Sequence, residues 1–248
     1  MSISLDLNEE LLYPSGDGEP MSESTEQYRW LVMIKENLEI LFADQPDVFI
    51  AADLFWYPIQ VDVPPAPRQA PDVMLAFGRP KGWRRSYQQW KENQIPAQVV
   101  FEVLSASNKT PEGIEAMQFK FQFYERYGVE EYYIYDPDEL TLEGWQRHGG
   151  ALVPTASMAG WVSPRLGIRF EWQPRTELGL YGPDGQRFLS SVELAERAEQ
   201  AEQRAEQAEQ TLRDSVPRLL ALGLSVEQVA EALGLPVAAV RAIAIDGQ

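Results

Sequence analysis

The sequence predicts an α/β (α+β) fold, in which helices flank a mixed β-sheet and a helical extension follows at the C-terminal end. Short segments rich in β-branched and aromatic residues indicate strands, and a segment with helical periodicity lies between the third and the fourth. A strand, a helix and a strand in this order favour a crossover within a mixed sheet. The predicted strands cover residues 47–59, 70–77, 97–105 and 131–137, and the predicted helices cover 22–42 and 111–127.

Two further segments extend this domain. Residues 140–156 are typical of a β-hairpin that turns at Gly149 and Gly150, because glycine accepts the positive φ angles of a tight turn. Residues 165–172, RLGIRFEW, predict one more strand. We therefore expect residues 1–190 to form one domain.

The segment 191–214 carries a seven-residue repeat, RAEQAEQRAEQAEQ. Small and apolar residues at alternating steps of four and three positions are typical of a coiled-coil seam. An alanine seam buries little area, so we expect a homodimer formed through this segment to associate weakly, and a solvated spacer helix is the alternative. The seam consists of Leu194, Ala198, Ala201, Ala205, Ala208 and Leu212.

The tail, residues 215–248, has helix–turn–helix character. Ala230, Gly234 and Val240 fall where two packed helices need a small residue, a tight turn and an apolar contact. The second helix contains one basic residue, Arg241, whereas a helix that reads DNA needs several hydrogen-bond donors. This favours a small packing or interaction unit over a DNA reader.

The composition limits the classes of function. The chain has 248 residues, 38 acidic and 21 basic, with a net charge of −17 and no cysteine. An acidic surface repels phosphates, and a chain without cysteine forms no disulfides. No apolar run approaches the roughly 20 residues that cross a bilayer, and the first residues do not have the pattern of a signal peptide. We therefore expect a cytoplasmic protein without a membrane partner.

The charge is unevenly distributed, because no acidic residue lies between Asp72 and Glu92. Basic and aromatic residues alternate there, and such a pattern suits DNA, since cations bind phosphates and rings stack on bases. A solvated loop is the alternative interpretation. The candidate DNA-binding residues are Arg79, Lys81, Arg84, Arg85, Lys91 and Trp83.

Three charged residues occupy positions where apolar side chains are expected. Glu102 lies in the middle of VVFEVLS, Asp72 begins a predicted strand, and Lys120 lies on the apolar arc of the helix predicted over 111–127. A buried charge needs a partner, although a lysine can also extend its amine to the surface. An Asp at the start of one strand and a Glu inside a neighbouring strand can converge on one divalent cation such as Mg²⁺.

The segments PDV, FEVLS and KFQFYERYGVEEYYIYDP, with the opening YPSGDGEPMSEST, resemble the Uma-type putative restriction endonuclease family. This family is a branch of the PD-(D/E)XK nucleases, and the resemblance extends over about residues 13–172. It implies a restriction-endonuclease-like fold and hydrolysis of DNA phosphodiester bonds that depends on Mg²⁺ or Mn²⁺.

The resemblance also implies roles for individual residues. Asp72, Glu102 and the backbone carbonyl of Val103 would hold the metal, and Lys120 would orient the attacking water. The superfamily lysine would stand at Leu104, but the Uma-type branch carries it on the following helix, at the position of Lys120.

Other residues remain open under the same resemblance. Glu23 is a further candidate metal ligand, with Glu26 next, and Asp53 is either a third ligand or a strand-edge acid. Lys109 is a second candidate for the catalytic lysine. Family members commonly carry an acidic residue just before the helix lysine, where this sequence has Phe119.

A different class of function is also consistent with the sequence. The acidic net charge and Phe119 favour a catalytically inactive nuclease-fold protein that serves as a DNA- or protein-binding or oligomerisation module.

Overall fold

The computed structural model describes residues 9–16, 18 and 20–246. The chain divides into two units, Met1–Ser191 and Val192–Gln248. The first contains a six-stranded mixed sheet with a helix packed on each face, and the described part of the second is helical. The predicted α/β class with a C-terminal helical extension is confirmed.

The six-stranded sheet has the order β1-β3-β5-β6-β7-β8. Neighbouring strands are antiparallel except β5 and β6, which are parallel. A parallel pair, β2 and β4, and a three-stranded sheet, β11-β10-β9, complete the first unit. The strands are β1 Val48–Ala51, β2 Trp56–Tyr57, β3 Val73–Phe77, β4 Tyr87–Gln88, β5 Val99–Val103, β6 Glu131–Asp136, β7 Thr141–His148, β8 Ala151–Pro154, β9 Trp161–Val162, β10 Arg169–Glu171 and β11 Gly179–Tyr181.

The helices of the first unit are α1, Thr25–Leu41, and α2, Pro111–Tyr127. The side chains of Ser24 and Thr110 each accept a backbone N–H of the first turn, which stabilises the start of the helix. Helix α2 ends at Gly128, whose φ of 101° lies in the left-handed region that glycine adopts without strain. The two observed helices match the predicted ones to within a few residues.

Each face of the sheet is covered by one helix. On one face Trp30 and Ile34 of α1 pack with Leu75 and Phe101. On the other face Tyr124 of α2 packs among residues that include Trp56 and Val100. Burial of each such apolar side chain stabilises the fold by about 1.5–3 kcal/mol.

The strand predicted over residues 47–59 is interrupted. It forms β1 and β2, and Asp53 between them has a φ of 48°, which breaks an extended strand. The N–H of Asp53 donates to the carbonyl of Pro71 at 3.0 Å. This contact brings the loop after β1 next to the start of β3.

The crossover and the hairpin are confirmed. Strand β5, helix α2 and strand β6 follow in sequence, and Glu102 lies opposite Ile134 in the parallel pair. Strands β7 and β8 turn at Gly149 and Gly150, with φ angles of 57° and 98°.

The second unit begins within one long helix, α3, Ser191–Ala221, which contains Pro217. The boundary predicted between residues 214 and 215 lies inside this helix. Along α3 the four seam alanines are exposed and the two seam leucines are partly exposed. Weak self-association through this seam therefore stays a prediction.

The tail forms helices α4, Val226–Leu233, and α5, Val237–Asp246. Gly234 ends α4 with a φ of 64°, while Ala230 and Val240 are buried in one apolar cluster. Two short helices joined at Gly234 therefore share one apolar cluster. Among the described residues, no helix is both long and apolar enough to cross a membrane.

Candidate active site

Asp72 and Glu102 lie on neighbouring antiparallel strands. Val73 pairs with Phe101, so Asp72 stands at the start of β3 close to Glu102 in β5. The carboxylate of Asp72 accepts the N–H of Val103 through Oδ2 at 2.6 Å. Because Asp72 bonds the backbone at the end of β5, the two acids are held in one place by strand pairing.

Glu102 is 2% exposed, and α2 supplies partners for both of its oxygens. The Lys120 Nζ lies 2.6 Å from Oε2, and the Tyr124 hydroxyl donates to Oε1 at 2.6 Å. These two residues are four positions apart, and residues at this spacing share one face of a helix. Lys120 also donates to the carbonyl of Ala70 at 3.3 Å. The carboxylate inside an apolar strand is thus fully hydrogen-bonded.

The pKa of Asp72 is raised to about 7, first by burial and then by the charge of Glu102. The charge of Lys120 and the Val103 N–H act in the opposite direction. Burial alone would lower the pKa of Lys120, but the charges of Glu102 and Asp72 outweigh it and raise that pKa. Lys120 is therefore a cation, and Asp72 titrates near neutral pH.

Burial, followed by the charge of Glu102, raises the pKa of Tyr124 well above its ordinary value. Its hydroxyl therefore stays protonated and acts as a donor to Glu102. The hydroxyl of Tyr132 is also buried, but it makes no hydrogen bond to the described residues. Burial, followed by the charges of Glu102 and Asp72, raises the pKa of Tyr132 well above its ordinary value.

The donor set fits a hard divalent cation. Asp72 and Glu102 provide carboxylate oxygens, and Asp72 remains partly exposed to solvent. Across residues 9–16, 18 and 20–246, no group of three or more His, Cys, Asp and Glu side chains is placed to hold a metal ion by itself. Mg²⁺ is commonly bound through one or two carboxylates while it keeps several waters, so a two-carboxylate site with solvent access fits this ion.

The backbone carbonyl of Val103 has a partner from α1 that the sequence did not predict. The side-chain amide of Gln27 donates to this carbonyl at 2.9 Å, and its Oε1 accepts the N–H of Glu23 at 2.9 Å. Gln27 is only 7% exposed and lies on the buried side of α1. A polar residue on the apolar side of a predicted helix is the sequence signal that could have revealed this contact. Asp72 therefore accepts the N–H of Val103 and Gln27 donates to its carbonyl, and the two contacts hold the end of β5 in place.

The predicted acids of the first helix have other partners. The carboxylate of Glu23 accepts the hydroxyls of Ser105 at 2.8 Å and Ser107 at 2.6 Å. The carboxylate of Glu26 is bound by Arg29 at 2.6 Å. Neither contact involves Asp72 or Glu102, so the role of Glu23 as a metal ligand stays a prediction.

The second candidate lysine lies elsewhere. Lys109 Nζ is 3.0 Å from Asp136 and 3.2 Å from Asp138, at the turn after β6. Lys120 is therefore the lysine that contacts Glu102. Phe119 is 58% exposed on α2, so an acidic side chain in its place would face solvent.

Asp53 lies beside the site. Its N–H approaches the carbonyl of Asp72 at 3.4 Å. The role of Asp53 as a third metal ligand stays a prediction.

Two of the predicted DNA-binding arginines are bound inside the protein. Arg79 and Arg84 each place Nε 2.7 Å from the carboxylate of Glu92, which is 9% exposed. Arg84 also lies over the ring of Phe49, 3.9 Å from its centre. These contacts stabilise the fold of the segment, because a buried carboxylate needs charged partners.

The other predicted cations also have acidic partners. Lys81 lies 3.4 Å from Glu39, Arg85 binds Glu10, and Lys91 binds Glu9. Trp83 is 85% exposed. The basic segment, residues 79–91, is therefore neutralised by Glu92, which directly follows it, and by three acids that are distant in sequence: Glu9, Glu10 and Glu39.

We expect Tyr124→Phe to lower the free energy of unfolding by about 1.5–3 kcal/mol, because it removes a hydrogen bond to a buried charged group. Urea denaturation measures this loss. Tyr127→Phe, on the same helix but partly exposed, is the matched control. An equal loss in both variants would show that the hydroxyl bond to Glu102 contributes no special stability.

The first unit thus combines a mixed sheet flanked by helices with two acids, Asp72 and Glu102, and with Lys120, which reaches Glu102 from α2. The model of the Uma2 family, described as putative restriction endonucleases, matches residues 13–178, and the chain belongs to this family.

A solved structure from Anabaena variabilis ATCC 29413, described as a putative nuclease belonging to DUF820, is similar to this chain. The two are 12% identical, with a TM-score of 0.41 over 59% of this chain and 74% of that one. No curated protein matches the chain.

Proposed function

We propose that the protein is a metal-dependent endonuclease that hydrolyses the phosphodiester bonds of DNA. The observation that carries this proposal is the cluster in which the Lys120 ammonium contacts Glu102 at 2.6 Å beside Asp72. Membership of a family of putative restriction endonucleases supports it.

In this proposal Asp72 and Glu102 hold Mg²⁺ or Mn²⁺, with the Val103 carbonyl as a further oxygen donor. The bound ion would polarise the scissile phosphate and lower the pKa of a water molecule. The protonated Lys120 supplies a fixed positive charge next to the developing negative charge of the phosphate. Tyr124 holds the orientation of Glu102, because it donates to the oxygen that Lys120 does not contact.

The proposal is tested by incubating the purified full chain with duplex DNA, single-stranded DNA and RNA, with Mg²⁺, Mn²⁺ or EDTA. We expect cleavage of DNA that EDTA abolishes, and a loss of at least about 100-fold in Glu102→Gln, since one metal-binding carboxylate is removed. Glu143→Gln, an exposed acid of β7, is the control and should cleave normally. Equal cleavage by Glu102→Gln and the wild type would contradict the assignment.

The alternative, a catalytically inactive binding module, is favoured by one observation. Both oxygens of Glu102 already accept short hydrogen bonds, so a metal would have to compete with Lys120 and Tyr124. Titration calorimetry separates the two functions. Binding of Mg²⁺ or Mn²⁺ that Glu102→Gln abolishes supports the nuclease, and no binding by the wild type supports the alternative.

A further inference from the structure

The basic segment is covered by acids from the beginning of the chain. Residues 9–12 are helical, and Glu9 binds Lys91 while Glu10 binds Arg85. Glu10 also accepts the N–H and the hydroxyl of Ser15, both at 3.1 Å. Two carboxylates therefore lie on the two cations of this segment that are not bound to Glu92 or Glu39.

Tyr13 anchors residues 9–12, the acidic turn, to the domain. Its ring lies 5.3 Å from Tyr57 and 4.8 Å from Trp90, and it is only 6% exposed. Its hydroxyl both donates to the carbonyl and accepts the N–H of Val61, each at 2.8 Å. The anchor is apolar and buried, whereas the glutamates that precede it are held by exposed ion pairs.

A cleft of about 290 Å³ lies between the acidic turn and the basic segment. One side is lined by Glu92, which is bound by Arg79 and Arg84, and by residues whose side chains are hydrogen-bond donors suited to phosphate oxygens: Arg84, Arg85, Ser86, Gln88 and Lys91. Glu9 and Glu10 line the other side. Their carboxylates bind Arg85 and Lys91 across this cleft.

The ion pairs that hold the acidic turn can be displaced. The hydrogen bond from Lys91 lowers the pKa of Glu9, and the N–H of Ser15 lowers the pKa of Glu10, so both are charged at neutral pH. Exposed ion pairs are worth about 0–1 kcal/mol each. A polyanion such as DNA, which gains additional free energy by releasing counterions, can replace them.

The basic segment is also connected to the candidate active site. Gln89 accepts the indole N–H of Trp56 at 3.0 Å, and the Trp56 ring is stacked on Tyr124 at 6.3 Å. Tyr124 in turn binds Glu102. Only two side chains therefore lie between the basic segment and the site.

We propose that Arg85 and Lys91 form a phosphate-binding surface for DNA, and that Glu9 and Glu10 cover it in the free protein as an internal competitor. This proposal rests on the proposed function, since it takes DNA as the ligand. DNA that binds this surface displaces the acidic turn from Arg85 and Lys91, while the buried Tyr13 keeps this turn attached to the domain.

The test uses the full chain and a fluorescein-labelled 20-base-pair duplex in EDTA, with binding measured by anisotropy over a series of salt concentrations. We expect Glu9→Gln/Glu10→Gln to bind the duplex about tenfold more tightly than the wild type, because the loss of two exposed ion pairs corresponds to about 1.4 kcal/mol. Glu202→Gln/Glu206→Gln, two exposed acids of α3, makes the same change in net charge and is the matched control.

Arg85→Gln/Lys91→Gln should weaken binding and remove the gain produced by Glu9→Gln/Glu10→Gln. An equal gain in the matched control would overturn the proposal, because net charge would then explain it. Wild-type binding that Glu9→Gln/Glu10→Gln leaves unchanged would overturn this inference and leave the nuclease proposal intact. Absence of DNA binding and cleavage by all variants would overturn both.

Discussion

Lys120→Ala is expected to lower the rate of DNA cleavage by about 100- to 1,000-fold, whereas Lys109→Ala should leave it unchanged. Lys120 is the lysine whose ammonium contacts Glu102, while Lys109 binds Asp136 and Asp138 at the turn after β6. Both substitutions remove one lysine near β5, so a difference between the two variants reports the position of the lysine and not the loss of a positive charge. Single-turnover cleavage of a labelled duplex measures the effect.

The same substitution also affects stability. Removal of one partner from a buried ion pair costs about 3–5 kcal/mol, and Glu102 would retain Tyr124 as a partner. Lys120→Met, which keeps most of the side-chain volume, should therefore be measured beside Lys120→Ala, with folding checked by circular dichroism. Normal cleavage by a folded Lys120→Met would remove the lysine from the mechanism.

Asp72→Asn is expected to increase the free energy of unfolding of the metal-free protein at pH 8 by as much as about 4 kcal/mol. The folded pKa of Asp72 is about 7, above its ordinary value of 3.8. A group whose pKa is raised by folding stabilises the protein fully below pH 3.8, and this contribution is lost as the pH rises through 7. An asparagine does not titrate, so the variant avoids this loss. The difference of about three units between the two pKa values corresponds to about 4 kcal/mol.

Divalent metal should reverse the order of stability. Mg²⁺ binds the ionised carboxylate, so it should stabilise the wild type increasingly as the pH rises through 7 and should not stabilise Asp72→Asn. Urea denaturation at pH 5 and pH 8, with and without Mg²⁺, measures all four states. Asp44→Asn, an exposed acid after α1, is the control. A wild type more stable than Asp72→Asn at pH 8 without metal would contradict the account of the site.

Local chemistry made some features of the fold predictable. The apolar periodicity of 111–127 predicted α2, and the glycine pair predicted the hairpin of β7 and β8. Asp72 and Glu102 were recognisable because a carboxylate in an apolar strand is costly unless it has partners. Whether the two acids converge depends on the pairing of β3 with β5, which the structure provides.

Other features depend on contacts between distant parts of the chain. Tyr124 on an apolar helix face has the same pattern as any core tyrosine, and only the position of Glu102 gives its hydroxyl a role. Basic and aromatic residues alternate in the basic segment, and this pattern predicted a DNA contact, with a solvated loop as the alternative. Its partner Glu10 lies 75 residues from Arg85, a distance at which sequence pattern gives no information.

Both partners of Glu102 belong to one rigid helix, and this makes the site sensitive to how that helix sits on the sheet. A displacement of α2 by about 1 Å would move Lys120 and Tyr124 together, and misplacement of this size can reduce a rate by about 100-fold. In the proposed function, Gly128 at the C-cap of α2 and the buried Val129 that follows would therefore affect cleavage through the position of this helix. Substitutions that disturb only the packing of α2 against the sheet would therefore also lower the rate of cleavage.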